Sequence, residues 1–360
     1  MKNLFKKRKK PQDDALVEIP LIDAREGGMA GFVRSQKDKI QKLARLTRGQ
    51  LGWFSRVVAP FVYPVMDTVS KWWLKKTKNP YYEEIKDTAK VVGEKGVYAH
   101  NVIYEWSCTT GALKTPERKA PQLVRVMDWL IKGMGKHIAV VHQKGPAGEF
   151  HNITWPGLTA TFNGVAKGRF AAAINQAPMQ RHFFGGPVTD WFRTHGRVFK
   201  SNAMPAGHLL RHVFENAANY NEAKDMLTNT PIASPVIFTL TGVKEGEGCV
   251  IERLEKKAVV REIASDTEPD RVFTTNHFQT QLNGVGDGWT GRGFDNYARY
   301  EGARGIDPAK VNQDGFQWFT PPLANKYSRL AMVADAASGE FRLVGTEKDK
   351  LVTKEFHLKP

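Results

Sequence analysis

Cys108 sits among hydroxyls, in Ser107-Cys108-Thr109-Thr110, and the chain has only one other cysteine, Cys249. A thiol becomes a useful nucleophile when its surroundings favour the thiolate. The next groups able to do that are Arg125 and Asp128, in Val124-Arg-Val-Met-Asp128. A guanidinium beside a thiol stabilises its anion, and a carboxylate can hold an ammonium or orient a base. Residues three apart do not share a face of a regular strand. A bulge or a strand end is therefore needed to aim both at one site. Taken alone, a cysteine after an apolar run is most often a small buried hydrophobe, and Arg125 with Asp128 reads as a structural salt bridge.

Two asparagines end apolar strands, Asn175 in Ala-Ala-Ile-Asn-Gln and Asn276 in Thr-Thr-Asn-His. Asparagine there usually makes a turn. Its amide can also donate to an oxyanion, an effect of about 3–4 kcal/mol on a transition state. His277 next to Asn276 is a candidate for a conventional base. His208-Leu-Leu-Arg-His212 sets two imidazoles one helical turn apart, but Leu209 stands where a metalloprotease carries glutamate and no third ligand follows. Gly284-Val-Gly-Asp-Gly288 lacks the strand-then-helix setting of a dinucleotide fingerprint. No metal and no cofactor is expected.

The elements that must position these groups change character at Cys108. Residues 1–16 are a basic tail. Val17-Glu-Ile-Pro-Leu-Ile22 alternates like an edge strand limited by Pro20. Residues 34–50 carry Ile40, Leu43 and Leu46 at helical spacing. Residues 51–76 are the most apolar segment, interrupted by Arg56 and Asp67 and too broken for a span of about 20 apolar residues. Pro60 and Pro64 are expected to kink or break it. Its aromatics beside Lys71, Lys75, Lys76 and Lys78 suit a segment lying in a lipid surface, and equally an internal helix pair. Asn79-Pro80 reads as a helix start and Gly93 as its end. From Cys108 onward, strands are expected over 121–129, 137–143, 149–154 and 169–175. Two helices follow within 205–228, then a meander from 236 to 263, a strand over 271–276, a helix over 296–305 and a terminal hairpin. Strands, then helices, then strands predict an α+β fold with helices outside the sheets.

The formal charge is +16, with +9 on residues 1–107 (21 Lys and Arg against 12 Asp and Glu). A basic surface favours nucleic acid or anionic membrane. No nucleic-acid motif is present, so the membrane is the expected surface partner and nucleic acid is not. Two cysteines make no disulfide framework, which fits a reducing compartment. The first ten residues are positive but lack the apolar region of a signal peptide. A cytoplasmic location is expected, with peripheral contact to membrane.

Taken in order, several short segments resemble one family. Tyr81-Tyr-Glu-Glu-Ile-Lys-Asp-Thr-Ala-Lys-Val-Val-Gly93 and Asn101-Val-Ile-Tyr-Glu105 lead to the cysteine. Cys108-Thr-Thr110, Val124-Arg-Val-Met-Asp128, Thr154-Trp-Pro-Gly157, Gly168-Arg-Phe170, Thr230-Pro-Ile232 and Thr275-Asn276 come after it. From about Val17 to Val344 the chain resembles, as a bacterial type, acid ceramidase and N-acylethanolamine acid amidase. These belong to the choloylglycine-hydrolase branch of the N-terminal-nucleophile hydrolases.

The resemblance implies a four-layer αββα sandwich made as a proenzyme. The Ser107–Cys108 bond would be cut autocatalytically into an α chain, residues 1–107, and a β chain, residues 108–360, that stay together. The freed α-amine of Cys108 would be the base and its thiolate the nucleophile. Arg125 would tune the thiol and Asp128 hold the amine. Asn175 matches a strand-end Asn of bile-salt hydrolases, Asn276 the oxyanion Asn, and Arg299 the family's late Arg. The implied reaction is hydrolysis of a linear amide of an N-acyl, fatty or lipid substrate through a thioester. An acyltransferase of the same fold and a non-enzymatic lipid-binding protein are the competing readings. Residues 113–122 replace a compact Asp-Gly turn of the relatives and are expected at the pocket rim, where they would set specificity.

Overall fold

The computed structural model describes residues 15–50, 53–93, 95–102, 106–180, 186–266, 269–280, 289–290 and 295–359. The Gly284-Val-Gly-Asp-Gly288 pattern lies outside them.

Two sheets form the body. One is eight-stranded, in the order β1 (Leu21–Asp23), β4 (Ala139–Gly145), β5 (Gly148–Thr154), β6 (Asn163–Ala166), β7 (Phe170–Gln176), β9 (Val236–Thr241), β10 (Gly248–Arg253) and β11 (Ala258–Glu262). The other runs β12 (Arg271–Thr274), β2 (Ser107–Leu113), β3 (Gln122–Asp128), β14 (Ser328–Ala334), β15 (Phe341–Glu347) and β16 (Lys350–Leu351), with β17 (Phe356–Leu358) also on β15. A short ribbon joins β8 (Met179–Gln180) to β13 (Trp289–Thr290). Every described pairing is antiparallel except β1 on β4 and two isolated bridges.

The sheets face each other through β2 and β3 on one side and β7 and β9 on the other. The run Phe-Ala-Ala-Ala-Ile-Asn-Gln of β7 is buried along nearly its whole length. Its small side chains let β2 approach. Helices α7 (Ala206–Asn216) and α8 (Tyr220–Asn229) lie on the eight-stranded sheet, and α9 (Asn296–Arg304) lies on the other. The order helix, sheet, sheet, helix is the four-layer αββα sandwich.

The segment before Cys108 folds onto this body. It comprises α1 (Gly28–Ser35), α2 (Lys37–Gln50), α3 (Trp53–Lys76), α4 (Tyr82–Val92) and α5 (Val97–His100). Their buried faces share a core with Ala139 and Val141 of β4. Arg211 of α7 fastens α4 down, with Nη1 to Glu84 Oε1 at 2.5 Å, Nη2 to Glu84 Oε2 at 2.9 Å and Nε to Glu215 Oε1 at 2.8 Å. Tyr81 Oη donates to Glu215 at 2.7 Å, with the Arg211 guanidinium over its ring. The remaining described helix, α6 (Gly186–Lys200), was not evident from periodicity.

Four expectations are corrected. The helix α3 runs through Pro60 and Pro64 as one element. Proline keeps a helical φ and forfeits one hydrogen bond, and buried Ser70, Trp73 and Leu74 hold the C-terminal half in place. The side chains of residues 51–63 lie outside the described residues. The N-terminal strand covers 21–23 rather than 17–22, because Pro20 cannot donate to a ladder. Asn79 caps the turn before α4, accepting from Tyr81 N at 3.0 Å, and the helix starts only at Tyr82. Residues 114–121 close the β2–β3 hairpin at the end opposite Cys108, since Leu113 pairs with Gln122 and Cys108 with Met127. Thr115, Gln122 and Asn312 bond to one another there, and Arg118 pairs with Asp335 and Glu340. This turn is not at the rim of the cleft described below.

Gly111 of β2 pairs with Phe273 of β12, and a Cβ on it would stand 2.1 Å from the Phe273 ring. Gly111→Ala is expected to lower stability by about 1–3 kcal/mol through overpacking, read as a fall in urea midpoint with unchanged m-value.

Candidate active site

Cys108 is the second residue of β2, and the ladder sets Ser107 opposite Asp128, Cys108 opposite Met127 and Thr110 opposite Arg125. Opposed residues of an antiparallel pair share a face. Cys108, Thr110 and Arg125 therefore point between the sheets, where Cys108 Sγ lies 3.9 Å from Ile174 O of β7. Ser107, Thr109 and Asp128 point the other way, toward α9. The pair spaced three apart does not converge on one face. Asp128 sits at the strand end, opposite the register shift of β14 between Ser328 and Leu330.

Between the sheets, Arg125 Nη1 donates to Thr110 Oγ1 at 2.6 Å and to Asn175 Oδ1. Thr110 Oγ1 also donates to Asn175 Oδ1 at 2.6 Å, and Asn175 Nδ2 donates to Thr275 O at 3.0 Å. The Asn175 amide is thus consumed in tying the two sheets together around Arg125. The guanidinium is fully buried, and its Nε and Nη2 have no hydrogen-bond partner among the described residues.

On the other face, Arg299 Nη1 donates to Cys108 O at 2.6 Å and to Thr109 Oγ1 at 3.0 Å, and lies 3.5 Å from Asp128 Oδ2. Its Nη2 reaches Asn276 Oδ1 at 3.2 Å and Asn296 Oδ1 at 3.0 Å. Asp128 Oδ1 accepts from Ser328 Oγ at 2.8 Å and Asn325 Nδ2 at 3.2 Å. Asn276 Oδ1 accepts from the backbone nitrogen of Cys108 at 2.6 Å, while its Nδ2 donates to Gln176 O at 2.9 Å. In the continuous chain Asn276, rather than Asp128, holds that nitrogen. All six residues singled out in the sequence, Cys108, Arg125, Asp128, Asn175, Asn276 and Arg299, belong to one buried network.

Burial pushes the Cys108 thiol up to about 12, against the pull of Arg125 and Arg299 and with the push of Asp128. Burial raises Asp128 too, opposed first by Arg299 and then by its bonds from Ser328 and Asn325. His277 is not placed to act as a base. Its Nδ1 meets Thr275 Oγ1 at 2.7 Å, its Nε2 meets Gln279, and burial lowers it to about 4. His208 is buried against Asn79 and Thr159 and lowered by burial to about 3, while Nδ1 of its helical partner His212 meets Asn216. No group of three or more metal-ligating side chains occurs among the described residues.

A small, largely apolar cleft of about 60 Å³ opens beside the network. Trp106, Ile174 and Gln176 form the wall nearest Cys108, and Val198, Ala206 and Val236 lie among its other lining residues. Sequence reasoning missed Gln176, whose Oε1 accepts from Trp106 N at 3.1 Å, and Asn296, which bonds both Asn276 N and Arg299. Gln176 follows Asn175 directly, and Asn296 precedes Arg299 by one helical turn, so both stood within sight of flagged residues. Ser328 and Asn325 carried no signal.

Two facing sheets thus carry the cysteine on an inner strand. In sequence the chain is acid ceramidase-like. It is 29% identical over 201 residues to acid ceramidase of Heterocephalus glaber, covering 50% of this chain and 49% of that one. It is 25% identical over 288 residues to that of Homo sapiens, covering 73% and 69%. The first two such relatives are thus matched over about half of their own length. A family model described as acyl-coenzyme A:6-aminopenicillanic acid acyl-transferase matches residues 193–291. Among solved structures, a Caenorhabditis elegans N-acylethanolamine-hydrolyzing acid amidase ortholog gives a TM-score of 0.49 at 18% identity, covering 63% of this chain and 92% of that one. A mutant conjugated bile acid hydrolase from Clostridium perfringens gives 0.37 at 11% identity, covering 70% and 97%.

With its pKa near 12, Cys108 in the uncut chain holds about a thousandfold less thiolate at pH 8 than a thiol at the usual 9. Alkylation of uncut protein by iodoacetamide, mapped to Cys108 by peptide mass, is expected to be slower than that of a free thiol by that order. It should keep accelerating as pH rises past 9.

Proposed function

We propose that the chain is a self-processing cysteine amidohydrolase acting on a linear amide with an apolar acyl group. The observation that carries this reading is Cys108 itself. Its nitrogen is bonded to Asn276, its carbonyl to Arg299, and its thiol points between the sheets on the same side as Arg125, next to Ile174 of the apolar cleft. A structural cysteine needs none of these partners.

In the processing step, Sγ attacks the Ser107 carbonyl carbon, the C–N bond to Cys108 breaks, and the nitrogen takes up the thiol proton. Water then hydrolyses the Ser107 thioester. The products are a Ser107 carboxylate and a free α-amine on Cys108. Such an amine has a pKa of about 7.7–8.0, close to working pH, where a general base is efficient. In turnover the amine takes the thiol proton as Sγ attacks the substrate carbonyl. It returns that proton to the leaving amine, and water releases the acid from the thioester. Arg125 stabilises the thiolate, Asn276 and Arg299 hold the nucleophilic residue, and Asn175 positions Arg125.

The partner surface is an anionic membrane. On α3, Val65, Val69 and Trp72 are 62%, 38% and 57% exposed and lie along one stripe, with Lys76 over the Trp72 ring. No helix among the described residues is long and apolar enough to cross a membrane. The acyltransferase reading is favoured by the family model over residues 193–291, which contain Asn276. Adding an acceptor amine and finding transferred product in place of free acid would establish it.

Purified protein is expected to yield a larger fragment whose first residue is Cys108, and Cys108→Ala to stay whole. A fatty-acyl electrophile should label Cys108 of the cut protein. Intact, unlabelled protein after long incubation across pH would overturn the reading in favour of a lipid-binding protein.

A further inference from the structure

Trp106, on the wall of the cleft nearest Cys108, comes from the segment ahead of the cut. Trp106 packs at a tilt against Phe162, with ring centroids 4.4 Å apart, and meets Trp129 edge-on at 6.0 Å. Its backbone nitrogen is bonded to Gln176 Oε1. Phe162, Trp129 and Gln176 all lie after Cys108, so these contacts do not depend on the Ser107–Cys108 bond.

Asn101, further back, is held as firmly. Asn101 donates to Val97 O at 2.8 Å and Gly157 O at 3.3 Å, and accepts from Thr159 N at 2.8 Å and Thr159 Oγ1 at 2.9 Å. Arg211 grips Glu84 further back. Hydrolysis before Cys108 therefore frees Ser107 and leaves Trp106 seated.

The geometry points to Trp106 as a specificity-determining residue that stays in the cleft of the cut protein and limits the length of the acyl group. This rests on the amidase reading above. The indole takes up space that an acyl chain attached to Cys108 would otherwise fill. A smaller side chain enlarges the cleft. Cleft depth then selects among acyl groups in the usual way, a few methylenes at a time.

The test uses full-length, self-cut protein and a series of octanoyl, dodecanoyl and hexadecanoyl amides of 7-amino-4-methylcoumarin. In Trp106→Ala, the ratio of kcat/KM for hexadecanoyl over octanoyl is expected to rise on the order of tenfold. Trp106→Phe should lie between the variant and the wild type. Cut fraction, read by intact mass, corrects for any change in processing. If Trp106→Ala stays uncut, Trp106→Phe and Trp106→Leu supply the same graded comparison. An unchanged ratio in variants that cut and acylate Cys108 overturns the inference alone. Wild-type protein that acylates Cys108 with none of the three amides overturns the amidase reading and this inference together.

Discussion

Two arginine side chains without access to water set the terms for the rest of the site. Arg125 and Arg299 are both fully buried, one on each face of the strand that carries Cys108. Removing such a charge from water costs several kcal/mol unless surrounding groups compensate. Asn175 ends its strand where it can bond Arg125 and Thr110 together, and Asp128 ends another where it can face Arg299. The asparagine and carboxylate are therefore as much a consequence of the buried cations as of any chemistry at sulfur. Thr110 accepts from Arg125 as well, and Ser328 and Asn325 steady Asp128.

The position of the bond before Cys108 within the ladder also matters. It joins the first two residues of β2, and Ser107 makes the terminal pair with Asp128. A break there removes one pair from the end of a seven-residue strand and leaves the pairs from Cys108 to Leu113 intact. The same break in mid-strand would split the sheet. A sandwich built this way can lose the peptide bond before Cys108 while keeping its core.

Much of this was legible in the sequence, for identifiable reasons. Strands β3, β4, β5 and β7 fall close to their expected ranges because alternation and glycine turns are local signals. Cys108, Arg125, Asp128, Asn175 and Asn276 could be named because each has a chemistry its neighbours lack, and Arg299 only because the family resemblance implied it. Which face each one uses was not legible, because it depends on register: Asp128 and Arg125 serve opposite sides of one strand. The role of Asn276 as acceptor from Cys108 N, with its amide nitrogen spent on Gln176, depends on a contact between residues 168 positions apart. Residues 114–121 were placed at the wrong end because closeness in sequence to Cys108 says nothing about which end of a hairpin a turn closes. The continuity of α3 through two prolines was likewise decided by packing of its other half and not by local propensity.

The bridge between Val17 and Thr353 reaches beyond the edge of the fold. Val17 N donates to Val352 O at 3.0 Å, and Lys354 N donates to Val17 O at 2.9 Å. Val17 and Thr353 thus lie side by side, while the chain between them passes through Cys108 in the interior of the molecule. Topologically the path from Val17 to Thr353 is close to a ring. A ring has no preferred starting point, so a polypeptide joined across that bridge and begun at Cys108 would trace the same path through both sheets. In such a circular ordering the nucleophile would be N-terminal by synthesis, and folding would be separated from cutting.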